Sequence, residues 1–210
     1  VIGVDLKEGK DCRDFFKIND EKFDLVIHLA AIVGGRETIE NDPLAVATDL
    51  SIDAEFFNWA VRTKQEKVIY FSSSAAYPTK FQSKGMKTIL KESDIDLNDI
   101  SSPDFTYGWA KLSGEYLANF ARKYGVKAVR LDIQEPINLG NGVPLSFLEL
   151  AEKVFEVAGW RPKNGIKLRT DKPVGVMFRC CDNSKMLNFY KPKISLEEGI
   201  KKSLEHFKNK

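Results

Sequence analysis

The chain has 210 residues, 43% hydrophobic and 30% charged, enough for one substantial core with a small appended lobe at most. Thirty-two basic residues against 30 acidic ones leave a net charge of +2, which gives no argument for a nucleic-acid or membrane-surface partner. No apolar run approaches the roughly 18 residues of a membrane span.

The chain opens VIGVDLKEGK, a short apolar run followed by charges, so residues 1–4 are expected to be a strand and not a secretory leader. Further apolar runs at 25–29, 68–71 and 128–131 also lack clean alternation, which is the pattern of strands in a parallel sheet covered on both faces. Helical segments lie between them. Residues 43–63 follow Asn41 and Asp42, both good capping residues, and open on Pro43. Residues 107–124 carry an apolar stripe at Leu112, Tyr116, Leu117, Phe120 and Ala121 and stop at Gly125. This alternation predicts an α/β fold with a doubly wound parallel sheet. Residues 78–104 are polar, with Pro78, Gly85 and Pro103, and read as a surface excursion. Beyond residue 131 the pattern changes, which divides the chain into residues 1–131 and a smaller α+β portion, 132–210. There, residues 147–158 are expected to be a helix with Ser146 and Glu149 as a capping box and Gly159 as its stop. Residues 165–170 and 174–179 look strand-like, and an amphipathic helix capped by Ser195, with Glu198 three positions on, closes the chain. Cys180 and Cys181 are adjacent, Cys12 is remote, and His28 and His206 are the only histidines. Neither a disulfide framework nor a zinc site is expected, and a reducing cytoplasm fits best.

Two stretches carry chemistry. In TYGWAK, Tyr107 and Lys111 are one helical turn apart on one face. A phenol, with a reference pKa near 10, is no base at neutral pH. A neighbouring ammonium stabilises the phenolate and lowers that value. In VIYFSSSAAY, Ser72, Ser73 and Ser74 follow an apolar run, at the carboxyl end of a predicted parallel strand, where open α/β sheets hold their ligands. A hydroxyl there can bond the substrate oxygen whose proton the tyrosine moves. Small polar residues also commonly end strands, so it is the combination with Tyr107 and Lys111 that points to a site.

DLVIHLAA, FSSSAAYP and YGWAK together resemble the extended short-chain dehydrogenase/reductase family, and more narrowly its NAD-dependent epimerase/dehydratase branch, which acts on nucleotide sugars. The resemblance implies a Rossmann-like domain and a Ser, Tyr, Lys site at Ser73, Tyr107 and Lys111. Counting back four from Tyr77 gives Ser73; aligning the serine triplet itself favours Ser74, and Ser73 is the expected residue. Substrate is expected at Ser73, Ser74 and Tyr107. HLAA matches the loop lining the nicotinamide side, with Leu29, Ala30 and Ala31. VIGVD matches the second strand, whose Asp5 would bind the adenosine ribose hydroxyls and favour NAD over NADP. DCRD matches the segment beside the adenine, with Asp11 and Cys12. EPINLGNG and SFLELAEKVFEVAGW resemble the start of the family's C-terminal portion, and KISLEEGIKKSLEHF its last helix. A homodimer through residues 43–63 and 107–124 is implied, with Phe56, Phe57 and Trp59 suited either to that contact or to the core.

Departures from the family narrow the chemistry. Its sugar 4,6-dehydratases carry an Asp-Glu pair after the hydroxyl residue; Ser74 and Ala75 stand there instead. Its GDP-mannose 3,5-epimerases use a cysteine in this stretch, where Ala75 falls. Hydride and proton transfer at a hydroxyl-bearing sugar carbon remains, by an epimerase or a reductase. Asp49 falls where the family often has asparagine. His28 reads as a packed strand-end residue, and Arg179 as either a phosphate ligand or part of an ion pair. Two pieces of the family pattern are not in these 210 residues. The GxxGxxG unit that seats a pyrophosphate would precede VIGVD, and Gly34-Gly35 and GNG at 140–142 lie in the wrong places to replace it. After Leu131 the chain passes at once to DIQEPINLGNG, which resembles sequence far downstream. A chain complete at this length is not expected to hold NAD tightly, so a non-catalytic member used for binding or assembly is the competing reading.

Overall fold

The computed structural model describes residues 1–128 and 135–208, and for Lys127 and Ala128 the backbone alone. Three parallel strands form the main sheet: β1 (Val26–His28), β2 (Lys67–Tyr70) and β4 (Lys127–Ala128), in the order β1-β2-β4. Val26 pairs with Val68 and His28 with Tyr70; on the other side Lys67 pairs with Lys127. Parallel neighbours need helical crossovers. α1 (Cys12–Ile18) precedes β1, α2 (Arg36–Asn41) and α3 (Pro43–Arg62) join β1 to β2, and α4 (Phe105–Ala121) leads into β4.

α3 starts where its sequence says it should. The Asp42 carboxylate accepts from the Ala45 amide at 3.2 Å and Pro43 takes the first helical position. Its inner face holds Val46, Ile52, Phe56, Phe57, Trp59 and Ala60, all buried. Phe56 and Trp59 meet Phe16 of α1, and with Val68, Tyr70, Ala121 and Val126 they form the core. Phe56, Phe57 and Trp59 therefore pack inward, and a dimer contact through them is ruled out. α4 ends in a 3-10 turn, Arg122–Tyr124, and Gly125 closes it at φ 87°, the left-handed conformation that favours glycine.

Several expected strands are absent or displaced. Residues 1–4 pair with nothing among the described residues, and a strand needs a neighbour to satisfy its backbone. The chain passes instead into a 3-10 turn, Leu6–Glu8, capped by Asp5. Of the strand expected at 128–131, Lys127–Ala128 forms β4 and the rest lies outside the described residues, as does the boundary placed at 131. Residues 165–170 and 174–179 form turns and irregular chain. Pairing occurs just beyond them: β3 (Ile89–Leu90) runs parallel to β5 (Cys180–Cys181). The polar stretch 78–104 is thus more than a surface excursion, because it buries Leu90 and Gln82. One face of β1 is also open, with Ile27 exposed beside a buried His28, where sequence had predicted cover on both sides.

The chain after residue 135 carries α5 (Phe147–Ala158), α6 (Ser184–Leu187) and α7 (Leu196–Lys208). The capping box forms as expected: the Glu149 amide donates to Ser146 Oγ at 3.2 Å, and the Ser146 amide donates to Glu149 Oε2 at 2.8 Å. The Glu198 amide donates to Ser195 Oγ at 3.1 Å. Among the described residues no helix is long and apolar enough to cross a membrane.

Candidate active site

β2 delivers the serine triplet to the carboxyl end of the sheet, and the three hydroxyls diverge. Ser72 donates to Glu115 of α4. Ser73 caps the 3-10 turn Ser74–Ala76, accepting from the Ala75 amide at 3.2 Å, and its hydroxyl stands near enough to the Tyr107 phenol to lower that phenol's pKa. Ser74 meets Arg179, whose Nη1 donates to its Oγ at 3.4 Å. Of the two serines the spacing left in competition, Ser73 is the one the fold sets against Tyr107.

α4 presents Tyr107 and Lys111 one turn apart, on the face turned toward β2 and the serine turn. Lys111 is buried, with its Nζ donating to the Phe71 carbonyl at 3.2 Å. The ammonium lies 5.9 Å from the Tyr107 ring centre and 5.3 Å from that of Tyr70. Burial pushes the Tyr107 phenol above its ordinary pKa, the Ser73 hydroxyl pulls it down, and the charges of Asp49 and Asp53 raise it further, so the net lowering expected from a neighbouring Lys111 does not occur. Tyr70 is the other tyrosine beside Lys111, and it has a different task. Its hydroxyl donates to Asp53 Oδ2 at 2.7 Å, and burial, then Asp53, drives its pKa far above the tyrosine range. Tyr70 stays protonated.

Two glycines let α4 approach this closely. A Cβ on Gly108 would stand 2.4 Å from the Ala75 carbonyl oxygen, and one on Gly114 would stand 1.9 Å from the Tyr70 hydroxyl. Behind the helix lies a buried polar layer, of which sequence reading named His28 and Asp49 but missed Asp53. His28 Nε2 and Asp53 Oδ1 are 3.0 Å apart, and the imidazole stacks on Phe56 at 4.0 Å between ring centres. His28 is thus a packed strand-end residue. Asp49, one turn before Asp53, accepts from the Ile32 amide at 2.5 Å through Oδ1, while its Oδ2 is buried without a partner among the described residues. Burial raises its carboxyl pKa, which the Ile32 bond and the Lys111 charge only partly offset. The available signal was two aspartates, four apart, on the same helix face as Val46, Ile52 and Phe56.

The model of the NAD dependent epimerase/dehydratase family matches residues 1–137. The chain belongs to this family. Structures similar to it include a UDP-glucose 4-epimerase of Thermotoga maritima, solved with UDP-glucose (TM-score 0.65, 19% identity, 94% of this chain and 80% of that one). Another is a GDP-mannoheptose C4 reductase of Campylobacter jejuni with NADP bound (TM-score 0.71, 17% identity, 93% of this chain and 84% of that one). At these identities the likeness shows the fold, a doubly wound Rossmann-like sheet. An uncharacterized protein of Methanocaldococcus jannaschii is 22% identical across 98% of this chain and 78% of its own. That alignment runs over 265 positions, more than the 210 residues here, so the relative has segments this chain lacks. A putative GDP-L-fucose synthase of Arabidopsis thaliana is 38% identical over 74 residues, which is 35% of this chain and 22% of that one.

The residues that family membership brings forward as cofactor ligands lie on separate elements. Asp5 is exposed, and one of its oxygens, Oδ1, accepts from the Lys7 amide at 2.8 Å. Asp11 is more committed. It caps α1 through the Arg13 amide at 2.9 Å and holds the Arg13 guanidinium at 2.6 Å, which lowers its carboxyl pKa. Cys12 is half-buried, and burial raises its thiol pKa. Leu29 stands exposed at the carboxyl end of β1, with Ala30 and Ala31 half-buried beside it. The exposed Asp5 carboxylate suits a ribose diol. The small Ala30 and Ala31, level with the serine turn across the sheet, suit a flat ring. Asp5 and the small Ala30 and Ala31 are thus the residues of this set whose chemistry fits a dinucleotide's ribose and ring, whereas Asp11 is already engaged by Arg13.

Proposed function

We propose that this chain is the catalytic part of an NAD-dependent nucleotide-sugar epimerase. Residues 1–131 form the cofactor side and residues 132–210 part of the substrate side. One observation carries the reading: Ser73, Tyr107 and Lys111 converge at the carboxyl end of β2, with Ser74 and Ala75 where a dehydrating site needs carboxylates. Ser73 and Tyr107 hold the sugar hydroxyl, and Tyr107 accepts its proton. The Ser73 hydroxyl partly offsets the burial that keeps the phenol protonated, and Lys111, whose ammonium lies 5.9 Å from the ring centre, donates to a ribose. NAD, when bound, supplies the place where a hydride is left and from which it returns. Asp5, Asp11, Cys12, Leu29, Ala30 and Ala31 would hold it. The free thiols of Cys12, Cys180 and Cys181 support a reducing, cytoplasmic setting. A second copy packing on α3 and α4 is supported by Trp109, Tyr116 and Phe120, which stand exposed on α4; sedimentation velocity tests it.

The experiment is titration of the purified protein with NADH, followed by nicotinamide fluorescence, and then turnover of UDP- and GDP-sugars. Binding with sugar interconversion and no net NADH supports the epimerase. Stoichiometric oxidation or reduction of the nicotinamide assigns a reductase or dehydrogenase on the same residues. No NADH binding leaves the non-catalytic reading.

A further inference from the structure

Ser73 and Tyr107 sit on elements far apart in sequence, and a side chain from a third region touches a near neighbour of each, Ser74 and Asp104. Arg179, next to β5, approaches Ser74 Oγ through Nη1 at 3.4 Å. Its Nη2 donates to Asp104 Oδ2 at 3.0 Å and its Nε to Gln82 Oε1 at 2.6 Å. Asp104 precedes α4 directly, three positions before Tyr107, and its amide donates to the Ala75 carbonyl at 2.9 Å. The other carboxylate oxygen, Oδ1, accepts from Arg36 Nη1 at 2.7 Å. Arg36 in turn pairs with Glu40 and lies over the Phe105 ring, 4.5 Å from its centre.

Three features of this cluster point the same way. An aspartate before a helix ordinarily caps it with its side chain. Here the Asp104 carboxylate makes no such bond; two guanidiniums hold it from the side. Phe105, the next residue, adopts φ 53°, so the chain enters α4 through a left-handed residue that its surroundings must hold in place. Finally, two guanidiniums face two carboxylates, so the four charges are matched among themselves, and Arg179 is spent on fixing protein groups. We propose that Arg179, acting through Asp104 and Ser74, is a positioning residue that clamps the serine turn to the start of α4 and so sets how closely the Ser73 hydroxyl approaches the Tyr107 phenol. The inference rests on the Ser73, Tyr107, Lys111 reading of the site. It requires the guanidinium fork, because a lysine ammonium cannot reach Ser74, Asp104 and Gln82 from one planar group.

The test is carbon-13 NMR at neutral pH of the whole chain labelled at tyrosine Cζ. Tyr107 is assigned by its loss in Tyr107→Phe, and Ser73→Ala gives the displacement produced by losing the neighbouring hydroxyl. Arg179→Gln is expected to displace the Tyr107 resonance by most of that amount, and the double variant Arg179→Gln/Ser73→Ala no further than Ser73→Ala alone. Arg179→Lys keeps the charge, guards against a glutamine variant that fails to fold, and is expected to behave like it. A Tyr107 resonance that moves in Ser73→Ala but stays in place in the Arg179 variants overturns the proposal, whatever happens to Tm. The same unmoved resonance with weakened UDP binding also overturns it and makes Arg179 a diphosphate ligand. If Ser73→Ala itself leaves the resonance unmoved, the site reading fails and takes the proposal with it.

Discussion

α3 and α5 begin in the same way and end up doing different work. Each opens on a side-chain cap, Asp42 for one and the Ser146–Glu149 box for the other, and each carries apolar residues at helical spacing. α3 buries Val46, Ile52, Phe56, Phe57, Trp59 and Ala60 against the sheet and α1. α5 has no buried residue and leaves Phe147 92% exposed. Local chemistry decides where a helix starts; burial against other elements decides how much it stabilises the fold. The candidate site follows this division, since Ser73, Tyr107 and Lys111 all stand on the packed side of the molecule.

Deleting one ring on each helix is the strongest challenge to the contrast. Phe56→Ala is expected to cost about 3–5 kcal/mol, while Phe147→Ala should stay within about 0.5 kcal/mol; urea unfolding of the two variants measures both. Similar losses would mean that α5 belongs to a core as real as that of α3. Next in size is Tyr107→Phe. Turnover of a nucleotide sugar should drop about 10²- to 10⁴-fold with the unfolding midpoint unchanged, and an undiminished rate would remove Tyr107 as the proton acceptor.

Asp49→Asn probes the cost hidden in the packed region. The folded-state pKa of Asp49 is raised, so the native chain holds its proton more tightly than the unfolded one. Stability is then lost as pH rises from the unfolded carboxyl value near 4 through the folded one, and the loss persists above it. The amide removes that loss. A gain of about 1–2 kcal/mol is expected at neutral pH, closing below about pH 4, and pH-dependent denaturation curves that stay parallel would contradict it. Smallest globally is Ser146→Ala. It should cost α5 about 1 kcal/mol of local helix stability, seen as faster amide exchange in α5 with Tm hardly moved.

Sequence was most legible where structure is local. The caps at Asp42, Ser146 and Ser195 and the stops at Gly125 and Gly159 depend on residues a few positions apart, and all fall where the pattern put them. Strands were legible only where a partner exists. The runs at 25–29 and 68–71 became β1 and β2, whereas equally apolar residues at 1–4 and 174–179 found no ladder. The short β3–β5 pairing joins residues some ninety positions apart and leaves no periodic trace in two-residue strands. The site divides in the same way. Tyr107 and Lys111 stood out as a pair by their spacing, and Ser73 came forward only through the family resemblance, with Ser74 beside it. Asp53, Tyr70, Asp104 and Arg36 act through contacts between distant elements and could be seen only once the chain was folded.

Gly108 and Gly114 have a consequence for anyone trying to improve this protein. Replacing a helix glycine with alanine is a routine stabilising change, worth about 1 kcal/mol in an exposed helix. In α4 the rule reverses, because a methyl at 108 meets the Ala75 carbonyl oxygen at 2.4 Å and one at 114 meets the Tyr70 hydroxyl at 1.9 Å. A stabilised variant chosen by helix propensity alone would lift α4 off the serine turn on one side of Lys111 and off β2 on the other, and would trade away the geometry of the site for the firmness of the helix.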